Sequence, residues 1–419
     1  MRLAGWISTI LAASLFGASA PAQPASEPAS APLNAAPGSY LYVWAGDADE
    51  KDSDFLAIID ARAGSSTFGE VVSTVPVGAR ATMPHHIEYE SPPAHMLFAN
   101  GWKAGHTFVL DLNDPRAPRL AGQFKSAAGY SFPHSFARLP NGNVLAVFQS
   151  QGERYAPPGG LLELDPMGRP LRATTSATRD IPTNLNWPYS LAVHPAIDRV
   201  ITTSSDMGMP PFEEWELHDT NHVQLWSISR LKLLASIPLP KHGKTRHHFW
   251  PAEPRVLPDG SVYVNTFSCG LYRLKNIQGP KPSAEFVHAF PGGTSFHDMC
   301  FVPVSYGRFW IQTVPALPGL VVLDVSNPKK PVEVSRFTLD KHYHMPHWVA
   351  ADRSSGRLVL TGDAGSWVLM LKLDEGTGKL SLDESFRSAG ATRPGIDFDR
   401  ETWPHGRTGK AVVHGAVFR

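Results

Sequence analysis

From Ser39 onward, short apolar runs alternate with turn residues. Tyr40-Leu41-Tyr42-Val43-Trp44 and Phe55-Leu56-Ala57-Ile58-Ile59 have strand length, and turn signals such as Pro140-Asn141-Gly142 and Pro258-Asp259-Gly260 punctuate the chain. β-branched and aromatic side chains fit a pleated, buried surface, and Asn-Gly or Asp-Gly closes a hairpin, so the pattern predicts many short strands and few helices. A longer unit recurs above this level. It opens with an aromatic residue or Met, then Pro, then usually His, and continues as strand, glycine turn and second strand. Its heads are Met83-Pro84-His85, Phe132-Pro133-His134, Trp187-Pro188-Tyr189, Trp250-Pro251-Ala252, Phe296-His297, Met345-Pro346-His347 and Trp403-Pro404-His405. The first four prolines are spaced by 49, 55 and 63 residues. Units of this size, each of about four strands, are propeller blades.

Seven heads predict an all-β fold: a seven-bladed β-propeller over residues 39–419 as a single domain. The last unit, Trp403 to Phe418, is too short for four strands. The N-terminal strands at Tyr40–Trp44 and Phe55–Ile59 are expected to complete its sheet and remove the free edge. Ahead of the propeller, Met1-Arg2 and the apolar stretch to Phe16 lead to Ala20-Pro21-Ala22. This reads as a signal peptide over residues 1–22, cut before Gln23. Residues 23–38 are Pro/Ala/Ser-rich and read as a disordered leader. The expectation is therefore a periplasmic or secreted protein, with no membrane contact after cleavage.

Composition narrows the chemistry. The 419 residues carry 38 basic and 38 acidic side chains, so there is no basic excess for nucleic acid to recognise. There are only 2 cysteines but 18 histidines, which excludes a disulfide scaffold or a thiolate zinc cluster and leaves imidazole as the metal donor. Cys269 and Cys300 read as a disulfide or as buried structural residues, with copper ligation or a redox pair as the weaker reading. In a propeller the innermost strands line the central channel. The head histidines His85, His134, His347 and His405 would thus converge on one axis, joined by His86 and, as further channel ligands, His248 and His297. A nitrogen-rich, sulfur-poor set suits copper, zinc or iron. His95, His106, His194, His218, His222, His242, His288 and His414 sit in strand bodies or loops and read as structural. Asp206, Glu253 and Asp298 lie near channel segments as candidate orienting groups or bases, with an ordinary turn role for each as the plainer reading. A lactonase-type site built on calcium needs carboxylate and carbonyl ligands that these heads do not offer.

Several of these residues carry a family resemblance. Tyr42-Val43-Trp44-Ala45-Gly46-Asp47, Asp54-Phe55-Leu56-Ala57-Ile58-Ile59-Asp60 and Thr67-Phe68-Gly69-Glu70-Val71-Val72, followed by His85-His86 and by Pro133-His134-Ser135, resemble the selenium-binding protein and methanethiol oxidase family. The resemblance is clear over about the first 110 residues of the mature chain and thin but collinear beyond. It implies a seven-bladed propeller with a histidine-bound copper, which in that family oxidises methanethiol with O2 to formaldehyde, hydrogen sulfide and hydrogen peroxide. Carried over position by position, the implied copper ligands are His85, His86, His134 and His405. The sequence also departs from the family. Its N-terminal Cys-Gly-Pro-Gly-Tyr segment is missing, Ile87-Glu88-Tyr89 follows the paired histidines in place of Ser-Gly-Trp, and the C-terminal histidine pattern is replaced by His405-Gly406-Arg407-Thr408-Gly409. The expected function is a copper-dependent oxidase of a small thiol or related molecule. The alternative is a non-catalytic propeller that binds copper for delivery, or a protein partner.

Overall fold

Seven antiparallel sheets follow one another along the chain in a computed structural model that describes residues 36, 38–92, 95–208, 218–363 and 365–419. The chain is an all-β, seven-bladed propeller. Blade 1 begins with the inner strand Pro84–Ile87, blade 2 with Tyr130–Arg138, blade 3 with Pro188–His194, blade 4 with Pro251–Val256, blade 5 with Val304–Tyr306 and blade 6 with Pro346–Ala351. Blade 7 is the closure. Its sheet runs Val71–Pro76, Phe55–Asp60, Tyr40–Asp47 and then, innermost, Ala411–Phe418, with Tyr42 opposite Val417. The first and last strands of the ring therefore pair, and no sheet edge is left open at the junction. The signal peptide and leader expected at 1–38 lie outside the described residues, apart from Ala36 and Gly38. Among the described residues the helices are single 3₁₀ turns, and none is long and apolar enough to cross a membrane.

Burial follows the ring. Strands in the body of each blade, such as Phe55–Asp60 and Phe309–Val314, are buried along their whole length because sheets cover both faces. Outermost strands, such as Val332–Thr338, alternate exposed and half-buried positions. Trp44, Trp102, Trp226 and Trp310 are fully buried between blades.

Two local devices, repeated from blade to blade, shape the channel. The first is a β-bulge. In blades 1, 2, 3, 4, 6 and 7 the inner strand slips by one residue against the second strand, between Pro84 and Ile87, Pro133 and Phe136, Pro188 and Leu191, Pro251 and Pro254, Pro346 and Trp348, and Val413 and Ala416. The extra residue re-aims a side chain that a regular pleat would turn away. Ahead of it, Met83, Phe132, Trp250 and Met345 hold φ between 48° and 58°, a left-handed backbone unfavourable for bulky residues. The second device is a clamp. A polar residue on one blade's second strand donates to a backbone carbonyl at the bulge, or just ahead of the inner strand, of the next blade. Asn100 reaches the carbonyls of Pro133 and His134 (2.8 and 3.0 Å), Thr203 that of Ala252 (2.6 Å), Asn265 that of Phe301 (3.0 Å), Thr313 that of His347 (3.3 Å) and Thr361 that of His414. Channel-facing backbone polar groups are thereby satisfied, and each bulge is fixed to its neighbour.

Candidate metal centre

The bulges bring five imidazoles together. His85 and His86 come from blade 1, His134 from blade 2, His347 from blade 6 and His414 from blade 7, which are consecutive around the ring. Ring centroids lie 4.5 Å apart for His85 and His86, 4.3 Å for His86 and His134, 3.9 Å for His85 and His414, and 4.2 Å for His347 and His414. All five are at most 5% exposed. Gly415 permits the approach of blade 7, because a Cβ there would meet the His85 carbonyl at 3.1 Å.

Most of the ring nitrogens have no hydrogen-bond partner. Both nitrogens of His85 and His414, Nε2 of His86 and His134, and Nδ1 of His347 are buried and unpaired. Buried polar atoms are almost always paired, so a cluster of this kind marks a site for a ligand. The paired nitrogens have a different task. Ser135 Oγ lies 2.9 Å from His86 Nδ1 and 3.0 Å from His134 Nδ1, and the Tyr89 hydroxyl lies 3.1 Å from His86 Nδ1. Holding Nδ1 fixes each ring's orientation and leaves Nε2 as the donor, as outer-shell groups do around metals. Burial holds all five rings well below the usual histidine range, with His347 down to about 3. They are therefore neutral and able to ligate at neutral pH. The donor groups within reach of one another are His85, His86 and His134, and separately His347, Asp363 and His414. Imidazole with one carboxylate and no thiolate fits a late first-row transition metal.

Beneath the cluster, a buried polar network braces the channel. Tyr89 stacks on Trp348 at 4.9 Å, and its hydroxyl lies 3.2 Å from Ser190 Oγ. Ser190 donates to Glu253 Oε2 (2.6 Å), which also accepts from Arg255 (2.8 Å), and the Arg255 guanidinium lies 4.0 Å over the Tyr89 ring. On the other side a cavity of about 330 Å³ opens against His85, His347 and Asp363. Its remaining wall is largely apolar and includes Met83, Tyr189, Met207, Phe267, Met299 and Phe301, with Asp206 as a second carboxylate. A disulfide between Cys269 and Cys300 ties together the segments that carry Phe267, Met299 and Phe301.

No family model matches the chain. Two curated relatives do. A methanethiol oxidase of Hyphomicrobium sp. is 26% identical over 225 residues, 48% of this chain and 48% of that one. A methanethiol oxidase of Ruegeria pomeroyi is 30% identical over 138 residues, 31% of this chain and 30% of that one. This chain is a distant relative of the methanethiol oxidases. The matched stretches span about half or less of those relatives' length. Among solved structures, a hypothetical selenium-binding protein from Sulfolobus tokodaii superposes with a TM-score of 0.73 at 18% identity, covering 92% of this chain and 94% of that one. A periplasmic gluconolactonase from Pseudomonas aeruginosa gives 0.62 at 12% identity, covering 90% and 98%. At such identities the structures speak for the propeller alone.

Within this relative of the oxidases, the structure places the expected channel residues unequally. His85, His86, His134 and His347 share the cluster. His405 does not join it. Its Nδ1 lies 2.7 Å from Thr74 Oγ1 on the outermost strand of blade 7, and its ring packs 4.8 Å from Phe55. The reason is topological. Trp403-Pro404-His405 precedes the inner strand Ala411–Phe418, so His414, expected to be structural, occupies the bulge slot instead. His297 is exposed in the 3₁₀ turn Phe296–Asp298 at the cavity rim, and His248 packs on Phe249 at 4.1 Å, away from the cluster. Asp298 is a turn carboxylate bonded to Thr294 and Ser295. Asp206 does face the cavity and is 2.6 Å from His218 Nδ1. Asp363 was not foreseen. Its N–H donates to the Met345 carbonyl (2.8 Å), the position held by Trp102, Ser205 and Phe267 in blades 1, 3 and 4. The repeat fixes that slot but not its residue.

Proposed function

We propose that this chain is an exported, copper-dependent oxidase of a small thiol or a similarly small, apolar substrate, using O2. The observation that carries the reading is the set of five buried imidazoles, with seven unpaired ring nitrogens, at the end of a cavity walled by methionine and phenylalanine. The names of its sequence relatives support it, and so does the Cys269–Cys300 disulfide, which suits an oxidising compartment such as the periplasm. Copper bound by His85, His86 and His134 would supply one-electron redox chemistry and a binding position for small sulfur or oxygen ligands. The chain's own residues do the rest. Ser135 and Tyr89 fix the imidazole rings. Met83, Met207, Met299, Phe267 and Phe301 exclude water and accept an apolar substrate tail. Asp206, one of two carboxylates on the cavity wall and hydrogen-bonded to His218, would accept the thiol proton.

Oxygen uptake by copper-loaded protein with methanethiol, beside metal content by mass spectrometry, tests the proposal. His134→Ala should lose both copper and turnover. Wild-type copper content in that variant would remove His134 from the site. The methionines along the cavity favour one second reading, transport of cuprous ion, because thioethers are soft donors. Tight copper binding without oxygen uptake on any small thiol would favour that reading over the oxidase.

A further inference from the structure

The metal centre holds more donors than one ion uses, and they fall into two sets. His85, His86 and His134 present ligand atoms all within 4.8 Å of one another, and so, separately, do His347, Asp363 and His414. The first set hangs on blades 1 and 2, the second on blades 6 and 7, and the closest rings across the seam are those of His85 and His414, at 3.9 Å. A single ring gives one nitrogen to a given ion. Yet His85 and His414 each bury two unpaired nitrogens, and His347 adds an unpaired Nδ1. One four-coordinate ion near the first set would leave the nitrogens of the second set without a partner. The second set also contains the only carboxylate of the six donors, which offsets the charge of an additional cation.

We propose that His347, Asp363 and His414 hold a second metal ion beside the one assigned to His85, His86 and His134, making a two-metal centre that spans the junction where the chain's last strand closes the ring. The proposal rests on reading the cluster as a metal centre. Adjacent ions in two-metal enzymes sit about 3.5–4 Å apart, and the two sets meet where the His85 and His414 rings are in contact. Paired ions of this type clamp one small ligand between them, and the cavity reaches both sets through His85 on one side and His347 and Asp363 on the other.

The test is a count. Metal-free full-length protein is titrated with zinc, which needs no redox partner, then stripped of excess and analysed by mass spectrometry. Two equivalents are expected for the wild type. One is expected after Asp363→Asn with His414→Gln, and one after His86→Gln with His134→Gln. A wild type that saturates at one equivalent overturns the proposal and leaves the single-ion reading standing. A wild type that takes up none overturns the metal centre itself. The wild-type count decides even where a variant fails to fold. Copper-loaded wild type provides a second readout. Adjacent cupric ions couple, so the integrated paramagnetic signal should fall well below the copper content. A signal that accounts for all bound copper as isolated ions overturns the pairing.

Discussion

The metal-free protein should be acid-labile over a narrow range, for a reason that can be worked through. Six imidazoles have strongly depressed proton affinity in the native state: the five of the cluster and His222, which burial lowers to about 4. In the unfolded chain each returns to the ordinary value near 6.5. Between the folded and unfolded values the unfolded state binds protons that the native state refuses, so stability falls as pH falls. The contribution is intact above about pH 6.5 and is lost progressively below it, until the folded values are reached. Between pH 7.5 and 5.5 each ring costs about 1 kcal/mol, so six cost about 6–8 kcal/mol. Glu88 works in the opposite direction. Burial pushes its carboxyl up to about 7 against the pull of Arg138, and over the same interval this returns about 2 kcal/mol. The net loss, about 5 kcal/mol, is a large share of a typical folding free energy of roughly 5–15 kcal/mol. For a domain of this size it lowers Tm by about 6 °C. Differential scanning fluorimetry of chelator-treated protein at pH 7.5 and 5.5 reads this directly. His347→Leu with His414→Leu should remove about a third of the slope. A wild-type Tm that moves by less than about 2 °C would refute the reasoning, because it would mean that water reaches and solvates the rings.

Other outcomes follow from single contacts. His405→Ala should leave metal content at the wild-type level by mass spectrometry and cost only about 1 kcal/mol in denaturant unfolding, the value of its bond to Thr74. Asn100→Ala should do the reverse. It strips the His86 N–H (2.6 Å) and the Pro133 and His134 carbonyls of their partner, so stability should fall by about 2–4 kcal/mol and metal affinity should weaken as the rings lose their register. Reducing the Cys269–Cys300 bridge, which closes a loop of 31 residues, should cost about 3–4 kcal/mol. The same treatment should weaken binding of small apolar thiols measured by calorimetry, because Phe267, Met299 and Phe301 lose their tether.

Sequence pattern went furthest where local chemistry and global geometry agree. The Pro-His heads mark inner strands because proline suits a strand start and because the same bulge follows it in blade after blade. His85, His86, His134 and His347 were legible on that basis. The seventh blade broke the rule. Its Trp403-Pro404-His405 copy of the head is used in an outer connection, while the inner strand begins at Ala411 without a proline. The signal for His414 was present in another form: it is the one histidine in the chain's last apolar strand, Ala411–Phe418, which ring closure makes innermost. Asp363 had no such signal, because its slot accepts tryptophan, serine or phenylalanine elsewhere. Tyr89 was read only as a departure from the family's pattern. Its role depends on contacts with Ser190 and Trp348, 101 and 259 residues away, which no local pattern encodes.

The same architecture explains how a nearly symmetric ring makes a one-sided site. Six blades present the same bulge, and five seams carry the same clamp to a neighbouring carbonyl, so the backbone offers equivalent slots all round the channel. What differs is the side chain in each slot: His85-His86, His134-Ser135, Tyr189-Ser190, Ala252-Glu253, His347 and His414. Imidazoles fill the slots of blades 6, 7, 1 and 2. Blades 3 and 4 fill theirs with the groups that brace the floor, and blade 5, whose short inner strand lacks the bulge, leaves room for Met299 and Phe301 on the cavity wall. Because the clamps bond backbone carbonyls and not the slot side chains, exchanging a slot residue should change the chemistry while sparing the scaffold. Tyr189→His tests this. It should fold with a Tm near that of the wild type, since Thr203 still bonds the Ser190 N–H and the Ala252 carbonyl. Loss of folding in that variant would show that the slots are coupled through their side chains, and that the ring is less modular than its repeated clamps imply.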